Sequence, residues 1–356
     1  MTAREDVVIT GVGVVTAAIT GDSAALGAFL AAPAAVPEAT LRPGAVAALI
    51  DPAEGRRLSR VCQLTIAAAR LALRESGLDS GGGLGLVVGT EFGDLASTHT
   101  FADGFLARGP AGLSALLFPN TVMNTMVATT AIAVGARHMA LTLNAPTVAG
   151  ELAVARGAAA IASGRVGAVL AGGVDELDPV VERELGHFGL GTERRGEGAA
   201  FIVLEPRAAA RARGATVLGE VSAAAWRTVP ARPWGVGRTH RSRAIDAALR
   251  AAGARPADVG WVYASGSCDE ARDRWEAAVL GAALGPVMPT SSLGSLLGRH
   301  AGLGVLRVAA AAWTARSGLL PVTNGTTRVA RVRPGRGLVH GLARGGAHVA
   351  LVVDAA

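Results

Sequence analysis

The segment of residues 141–176 constrains the fold of this chain more than any other. Residues 141–143 alternate like the end of a strand, and residues 144–150 carry turn chemistry. Residues 151–162 are rich in Ala, with strong helix propensity, and an apolar run at 166–170 before Gly172-Gly173 suits a buried strand. The order strand, tight turn, helix, strand predicts an α/β fold that presents one side chain at a helix N-terminus, where backbone N–H groups favour negative charge.

Length and composition predict a large globular body or an oligomer. The chain has 356 residues, of which 50% are hydrophobic and 17% are charged, enough for a large α/β unit or two fused halves. All 34 basic residues are Arg, and with the excess of Ala and Gly this bias is typical of a high-GC genome. No basic run is interleaved with aromatic residues, so we expect no nucleic-acid partner. The composition is still compatible with a basic face that binds an acidic protein partner.

Several kinds of site are not expected. Gly11 and Gly13 begin a dinucleotide-binding pattern, but its third glycine would fall at Thr16, so we reject a Rossmann site. Cys62 and Cys268 make neither a disulfide framework nor a zinc site, and Cys62 lies in an amphipathic helical pattern as a buried residue would. The histidines without metal-ligand spacing are His138, His187, His240, His340 and His348. We expect no metal, cofactor, signal peptide or membrane span, and a reducing cytoplasm as the default location.

The remaining pattern predicts alternating strands and helices, with a second half that repeats the first. Predicted strands cover residues 7–15, 84–89, 217–225, 259–264 and 349–353. Predicted helices cover residues 24–30, 56–79, 241–253, 274–284 and 305–315, and residues 32–52 form a loop. The boundary between the halves lies near residues 206–214, which gives a first half at 1–210 and a second at 211–356.

The strand–turn–helix–strand segment resembles the nucleophile region of the β-ketoacyl synthases, which belong to the thiolase-like superfamily. Those enzymes carry a Cys at the turn, and matching Gly150 and Ala171-Gly172-Gly173 places that position at Thr147. The resemblance implies a thiolase-like α/β fold of two related halves in a layered αβαβα arrangement. It extends over nearly the whole chain, with several motifs in the family's order.

The same resemblance locates the family's two catalytic histidines at serines. The His-Gly-Thr-Gly motif matches residues 265–269, with Ser265 at the His position and Glu276 downstream. The Gly-His-Leu-Leu-Gly motif matches residues 294–298, with Ser295 at the His position, and the family's Lys falls near Thr290. In the C-terminal glycine loop, Arg344 stands where the family has a gating Phe.

These replacements predict that the chain does not catalyse condensation alone. The hydroxyl of Thr147 is far less acidic than a Cys thiol, and Ser265 and Ser295 cannot shuttle protons near neutral pH. A family scaffold without its Cys-His-His set looks like a chain-length factor, the β-subunit of type II polyketide synthases. That resemblance implies an active ketosynthase and an acyl carrier protein as partners, and control of product length. Thr147 departs from the Gln common in such subunits, and the short segment 177–194 suggests the polyene-type branch.

Residues 118–138 are apolar almost throughout. They predict either a buried core helix or the helix that crosses the subunit interface and lines the acyl tunnel, with Asn120 or Thr121 as its cap. Phe118, Met123 and Met126 are the candidate tunnel residues, and core packing is their alternative role.

Two other functions remain open from the sequence. One is an acyltransferase or hydrolase on the same fold, using Thr147 or a serine with His300, which lies five residues beyond Ser295. The other is a stand-alone acyl-binding or scaffold protein without a ketosynthase partner.

Overall fold

The computed structural model of the chain describes residues 5–42, 44–79, 83–189, 193–232, 235–266, 269–323 and 327–356. The strands are β1 (Val7–Thr16), β2 (Thr20–Gly21), β3 (Leu84–Thr90), β4 (Ala140–Asn144), β5 (Ala168–Asp175), β6 (Gly198–Pro206), β7 (Gly219–Thr228), β8 (Val262–Tyr263), β9 (Thr290–Ser291), β10 (Leu319–Val322), β11 (Arg328–Arg331), β12 (Gly337–Leu342) and β13 (Ala347–Asp354). The helices are α1 (Ser23–Ala31), α2 (Pro52–Gly55), α3 (Arg60–Ser76), α4 (Leu95–Arg108), α5 (Thr125–Val134), α6 (Ala149–Ala162), α7 (Pro179–His187), α8 (Arg207–Ala212), α9 (Arg243–Ala251), α10 (Glu270–Leu284), α11 (Gly294–Leu297) and α12 (Ala301–Ser317).

The two halves of the chain build sheets with the same strand order. The first half gives β4-β3-β5-β6-β1, and the second gives β9-β8-β12-β13-β7. In each half the three strands at the outer edge are parallel, and the two that follow are antiparallel to their neighbours. A short antiparallel ladder between β1 and β7 joins the two sheets. The repeat agrees with two related halves, and the boundary near residue 210 stays a prediction.

Three apolar clusters show that the sheets and helices are layered. The central cluster contains α6 and α12, which contact strands of both sheets. A second cluster packs α3 and α5 on the outer face of the first sheet, and a third packs α9 and α10 on the outer face of the second. This order of layers is the αβαβα arrangement that the sequence predicts.

Two glycines allow close packing at the centre of the fold. A Cβ on Gly150, in the first turn of α6, would lie 2.1 Å from the carbonyl oxygen of Ala301 on α12, so only glycine lets the central helices approach. A Cβ on Gly13 of β1 would lie 2.0 Å from the carbonyl oxygen of Ala68 on α3. The Gly-x-Gly pattern in β1 therefore serves the packing of a helix on the sheet.

The predicted helix over residues 118–138 is wrong in its extent. Phe118–Thr121 forms a short 3-10 turn, the backbone at Val122 is extended, and α5 covers only Thr125–Val134. The helix begins after Asn124, whose side chain makes no capping hydrogen bond, so neither Asn120 nor Thr121 is the cap. The reason is local, because the hydroxyl of Thr125 donates to the carbonyl of Pro119 and folds the preceding turn back on the helix.

Other elements differ in length from the prediction. The strand expected at residues 259–264 is reduced to Val262–Tyr263, and the helix expected from residue 56 begins at Arg60 after Ser59. The short segment 177–194 contains the helix α7. None of the helices in the described ranges is long and apolar enough to cross a membrane.

Candidate functional site

Thr147 occupies a strained turn between β4 and α6. Its φ is 65°, and it is the one non-glycine residue with positive φ among those the structure describes. A β-branched residue adopts this conformation only where the surrounding structure enforces it. The Thr147 hydroxyl is buried and has no hydrogen-bond partner in the described part of the chain. The turn therefore has the geometry that presents a side chain at a helix N-terminus, and no described residue accepts a hydrogen bond from the hydroxyl.

Ser265 is held in a purely structural set of hydrogen bonds. Its hydroxyl donates to the carbonyl of His340 at 3.3 Å and accepts from the backbone N–H of Leu342 at 2.7 Å. Its own backbone N–H donates to the carboxylate of Glu276 at 3.0 Å. Ser265 is buried, and its hydroxyl is therefore committed to fixing β12 beside the end of β8.

Ser295 lines a different space. It lies on α11 and borders a cavity of about 440 Å³, which Thr290 and Glu276 also line. Thr290 is where the family's Lys would stand, and its hydroxyl donates to the carbonyl of Met288 at 2.9 Å. Thr147 and Ser265 are not among the residues that border this cavity. This cavity thus does not bring the three positions together.

A buried carboxylate and imidazole lie beside Ser265. The Nδ1 of His340 on β12 is 2.7 Å from Oε1 of Glu276 on α10, and both side chains are buried. Burial alone would raise the pKa of Glu276, but the hydrogen bond and charge of His340 outweigh it and hold that pKa below its usual value. With Glu276 ionised, Nδ1 of His340 carries the hydrogen that it donates, and Nε2 is left buried without a partner.

An ion pair fills the space between the central helices. Arg307 on α12 donates to the carboxylate of Glu151, which lies one helical turn beyond Thr147 on α6. A second nitrogen of Arg307 donates to the carbonyl of Ala264 at 2.7 Å, directly before Ser265. Both charged side chains are buried. Arg307 therefore connects α6 to the segment between β8 and Ser265.

His300 does not supply the missing imidazole. It precedes α12 and is buried, and a Cβ on Gly198 or Gly302 would lie 3.1 Å or 2.9 Å from its ring. Burial, and then the charge of Arg299, lower its pKa to about 3, so the ring is neutral at neutral pH. Among the described residues, neither ring nitrogen of His300 has a hydrogen-bond partner, so none of them shows the pairing with Thr147 or a serine that the sequence leaves open.

The sequence analysis does not identify Glu151 and Arg307 as an ion pair, nor His340 as the partner of Glu276. Two features of the sequence point to the pair of Glu151 and Arg307: an Arg inside the apolar run 305–315, and an acidic residue in the first turn of an Ala-rich helix. A buried charge needs a partner, and these two charges face each other across the central layer. Nothing in the spacing of His340 points to Glu276, since 64 residues separate them.

An exposed apolar face surrounds the turn before α5. The large apolar side chains that are exposed there belong to Phe105, Leu106, Leu113, Leu116, Phe118, Val122, Met123 and Ile132. Phe118 is 58% exposed and Met123 is 43% exposed, whereas Met126 is 0% exposed and packs in the second apolar cluster. β4 lies at the edge of the sheet, paired only with β3 within the described ranges. We call these apolar residues together with β4 the partner face.

A second cavity lies between α4 and α7. It has a volume of about 750 Å³, and its lining is mostly apolar, with Phe92, Leu95, Val180, Val181, Leu185 and Phe188. Arg344 borders it and donates to both carboxylate oxygens of Asp269, at 2.5 Å and 2.6 Å. The residue at the position of the family's gating Phe is therefore tied to the N-terminus of α10 by a bidentate ion pair.

Two further observations bear on ligands. Cys268 and its neighbour Ser267, within the motif at 265–269, lie outside the described residues. Among the residues that are described, no three His, Cys, Asp or Glu side chains converge as metal ligands would.

Comparison with known proteins places the chain in a family. Residues 39–210 match the description "Beta-ketoacyl synthase, N-terminal domain", and residues 223–327 match "Beta-ketoacyl synthase, C-terminal domain". The chain is 28% identical over 310 residues to the ketoacyl synthase alpha subunit of the tetracenomycin polyketide synthase from Streptomyces glaucescens, covering 77% of this chain and 73% of that relative.

Solved structures share the fold over the whole length. One is described as the ishigamide ketosynthase/chain length factor, with a TM-score of 0.87 at 23% identity, covering 99% of this chain and 100% of that one. Another is a type II polyketide synthase acyl-carrier protein in complex with its ketosynthase bound to the hexaketide, with a TM-score of 0.85 at 18% identity and the same coverage. On the two matched domains and the shared fold, this chain belongs to the β-ketoacyl synthase family.

Proposed function

We propose that the chain is a catalytically degenerate ketosynthase-like subunit, a chain-length factor, which pairs with an active ketosynthase of a type II polyketide synthase. One observation carries the proposal: in the described part of the chain, the edge strand β4 pairs on one side only, with β3, and it leads within three residues to Thr147, whose hydroxyl has no hydrogen-bond partner there. A surface for a second subunit and an inert nucleophile position thus lie on one continuous segment.

Pairing with a second subunit would cover both the free edge of β4 and the exposed apolar side chains of the partner face. An edge strand offers a row of backbone N–H and C=O groups to another strand, and exposed apolar side chains of this number mark an interaction surface. Covering both would bury on the order of 2,000 Å² in total, the size of an obligate interface. The two solved relatives support the kinds of partner, a ketosynthase and an acyl carrier protein, by what their descriptions name.

Control of chain length follows from where the candidate tunnel residues stand. Phe118 and Met123 are both exposed on the partner face, in the segment before α5. Side chains in that place would border a tunnel that a ketosynthase partner completes. Met126 is instead packed in the second apolar cluster.

A condensation assay tests the loss of catalysis. Acyl- and malonyl-loaded acyl carrier protein would be incubated with the purified chain, with a ketosynthase that carries an intact Cys-His-His set, and with both together. We expect product only when the ketosynthase is present, and no covalent acyl adduct on this chain by intact-protein mass spectrometry. Condensation by the chain alone, abolished in Thr147→Ala, would refute the proposal.

The cavity between α4 and α7 favours a second role, the binding of an acyl chain by this subunit itself. Its volume of about 750 Å³ and its apolar lining suit an aliphatic chain. Decanol, which has an apolar chain and no titrating headgroup, is a suitable probe. We expect it to protect backbone N–H groups of α4 and α7 from hydrogen exchange, and an absence of protection would exclude this role.

A further inference from the structure

An arginine-rich segment joins β7 to α9. Between Glu220 and Asp246 the sequence has no acidic residue, although the chain has 28 acidic residues in all. A preference for Arg over Lys explains which basic residue is used, but it does not explain the absence of acids. The exposed basic side chains of the segment, which we call the arginine surface, belong to Arg227, Arg232, Arg238, His240, Arg241 and Arg243. Their five arginines give this surface a strong positive charge at neutral pH.

The chain itself neutralises little of this charge. In the described ranges, Arg241 pairs with Asp246 at 3.0 Å, and it is the one arginine of the surface with a carboxylate at ion-pair distance. Nη1 of Arg227 donates to the backbone carbonyl of Trp226 at 2.7 Å, a contact that leaves its charge unbalanced. An exposed surface of one sign attracts a partner of the opposite sign and orients it during the encounter.

Backbone hydrogen bonds place the arginine surface beside the apolar cavity between α4 and α7. The backbone N–H of Val229 donates to the carbonyl of Gly346 at 2.9 Å. The backbone N–H of Gly345 in turn donates to the carbonyl of Gly235 at 2.9 Å. The segment therefore runs against the turn between β12 and β13, and Arg344 in this turn borders the cavity.

The two neighbouring features together select one kind of partner. The cavity suits an aliphatic chain, and the arginine surface suits a negatively charged face, so the partner brings both. A protein with an acidic face and an attached acyl chain meets this requirement. An anionic membrane would also bring apolar chains, but Val236 is the one large apolar side chain that is exposed among the described residues of the segment. The surface therefore lacks the apolar side chains that insert into a bilayer.

We propose that the arginine surface is the docking site for the acidic face of an acyl carrier protein, placed so that the acyl chain of the carrier enters the cavity between α4 and α7. The docking site rests on the proposed partnership with an acyl carrier protein, and the entry of the chain rests on the acyl-binding role of the cavity. Neither depends on pairing with a ketosynthase, so both are testable on this chain alone.

Titration of the purified full-length chain with a decanoyl-loaded acyl carrier protein of net negative charge tests the docking site. We expect the Kd to rise between about 50 mM and about 300 mM NaCl, because salt screens exposed charges. Arg232→Glu combined with Arg238→Glu should raise the Kd about tenfold at the lower salt concentration, since like charges then face each other. Thermal unfolding should be unchanged, because both side chains are exposed.

A matched control reverses two other exposed arginines. Arg328→Glu combined with Arg331→Glu changes β11, which leads to the start of β12, at the end of the second sheet away from the arginine surface. This double variant should bind the carrier as the unaltered chain does. Equal affinity in the two double variants, or affinity that does not depend on salt, overturns the docking site. Tighter binding to single-stranded RNA or to phosphatidylglycerol vesicles than to the carrier also overturns it.

Hydrogen exchange read by mass spectrometry shows where the acyl chain goes. The decanoyl-loaded carrier should protect backbone N–H groups of α4 and α7, and the unloaded carrier should not. Arg232→Glu with Arg238→Glu should remove this protection, whereas free decanol should still protect both helices in that variant. If decanol protects them but the loaded carrier does not, the chain does not enter the cavity and the proposed placement is wrong. If decanol gives no protection while carrier binding depends on the arginines, the docking site stands and the acyl-binding role fails.

Discussion

Arg307 and Glu151 form a buried ion pair between the two central helices, one turn from the position where the family carries its nucleophile. The pair occupies the layer between the two sheets, and Arg307 also donates to the carbonyl of Ala264, next to Ser265. Removing one partner leaves the other charge buried and uncompensated. The first prediction follows from this relationship.

Single and double substitutions of this pair should differ in their effects on stability. Arg307→Leu or Glu151→Leu alone should lower the free energy of unfolding by about 3–5 kcal/mol, because each change leaves the other charge buried without its partner. The double variant should lose less than the sum, since it removes both charges together. Urea unfolding followed by circular dichroism gives the values. Additive losses, or a single variant as stable as the unaltered chain, would show that the pair is not coupled.

Thr147 should be replaceable by glycine with a gain in stability. Its φ of 65° costs a β-branched residue about 1–3 kcal/mol, and glycine adopts that conformation freely. After the entropy that glycine loses on folding, we expect Thr147→Gly to raise the free energy of unfolding by about 1 kcal/mol. The control is Thr142→Gly in β4, where the same change should be destabilising. Loss of stability in Thr147→Gly would mean that its side chain holds the turn in place.

The buried His300 should make the protein sensitive to acid. Its pKa is about 3 in the folded chain and near 6.5 when unfolded, so between these values only the unfolded chain takes up the proton. This contribution is fully present above pH 6.5, and stability is lost as the pH falls, by about 1.4 kcal/mol per pH unit. Asp175 and Glu176, whose raised pKa values are about 6 and 7, act in the opposite direction over part of the same range.

The comparison of His300→Asn with the unaltered chain isolates this contribution. Thermal unfolding at pH 7 and pH 5 should show a smaller acid loss in the variant, because its side chain does not titrate. The opposing carboxyl groups are common to both proteins and cancel in the difference. Equal losses in both proteins would show that His300 is already protonated or accessible in the folded state.

The α/β class could be predicted from local patterns, whereas the layered arrangement and the nucleophile position at Thr147 were implied by the resemblance to the β-ketoacyl synthases. Alternating strands and helices identify the α/β class, and the turn at Thr147 is marked by its neighbours, Gly150 and the strand that follows. The extent of α5 could not be predicted, because a hydroxyl bond from Thr125 to Pro119 overrides the helix propensity of the apolar run. The pairing of Glu276 with His340, 64 residues apart, has no signal in the sequence and appears only when the fold brings α10 and β12 together.

Truncation of the candidate tunnel residues should distinguish side chains that line a tunnel from side chains that pack in the core. In the co-purified complex, Phe118→Ala and Met123→Ala should lengthen products by whole extension units with the complex intact, since both side chains lie on the partner face. Met126→Ala should instead lower stability by about 2–5 kcal/mol and leave product length unchanged, because it removes packed core volume. Mass spectrometry of the products and thermal unfolding of the complexes give both readouts. Unchanged length in all three variants would place the tunnel elsewhere.

The central claim is that this chain pairs with an active ketosynthase through the partner face. The most direct test is co-expression with an intact Cys-His-His ketosynthase, followed by size-exclusion chromatography and native mass spectrometry. A matched variant, Thr142→Pro, removes the backbone donor in the middle of β4 that the register with β3 leaves on the free edge, and should weaken pairing. We predict a stable one-to-one complex that this variant disrupts. A stable monomer at micromolar concentration, with no complex formed by any candidate ketosynthase, would contradict the claim.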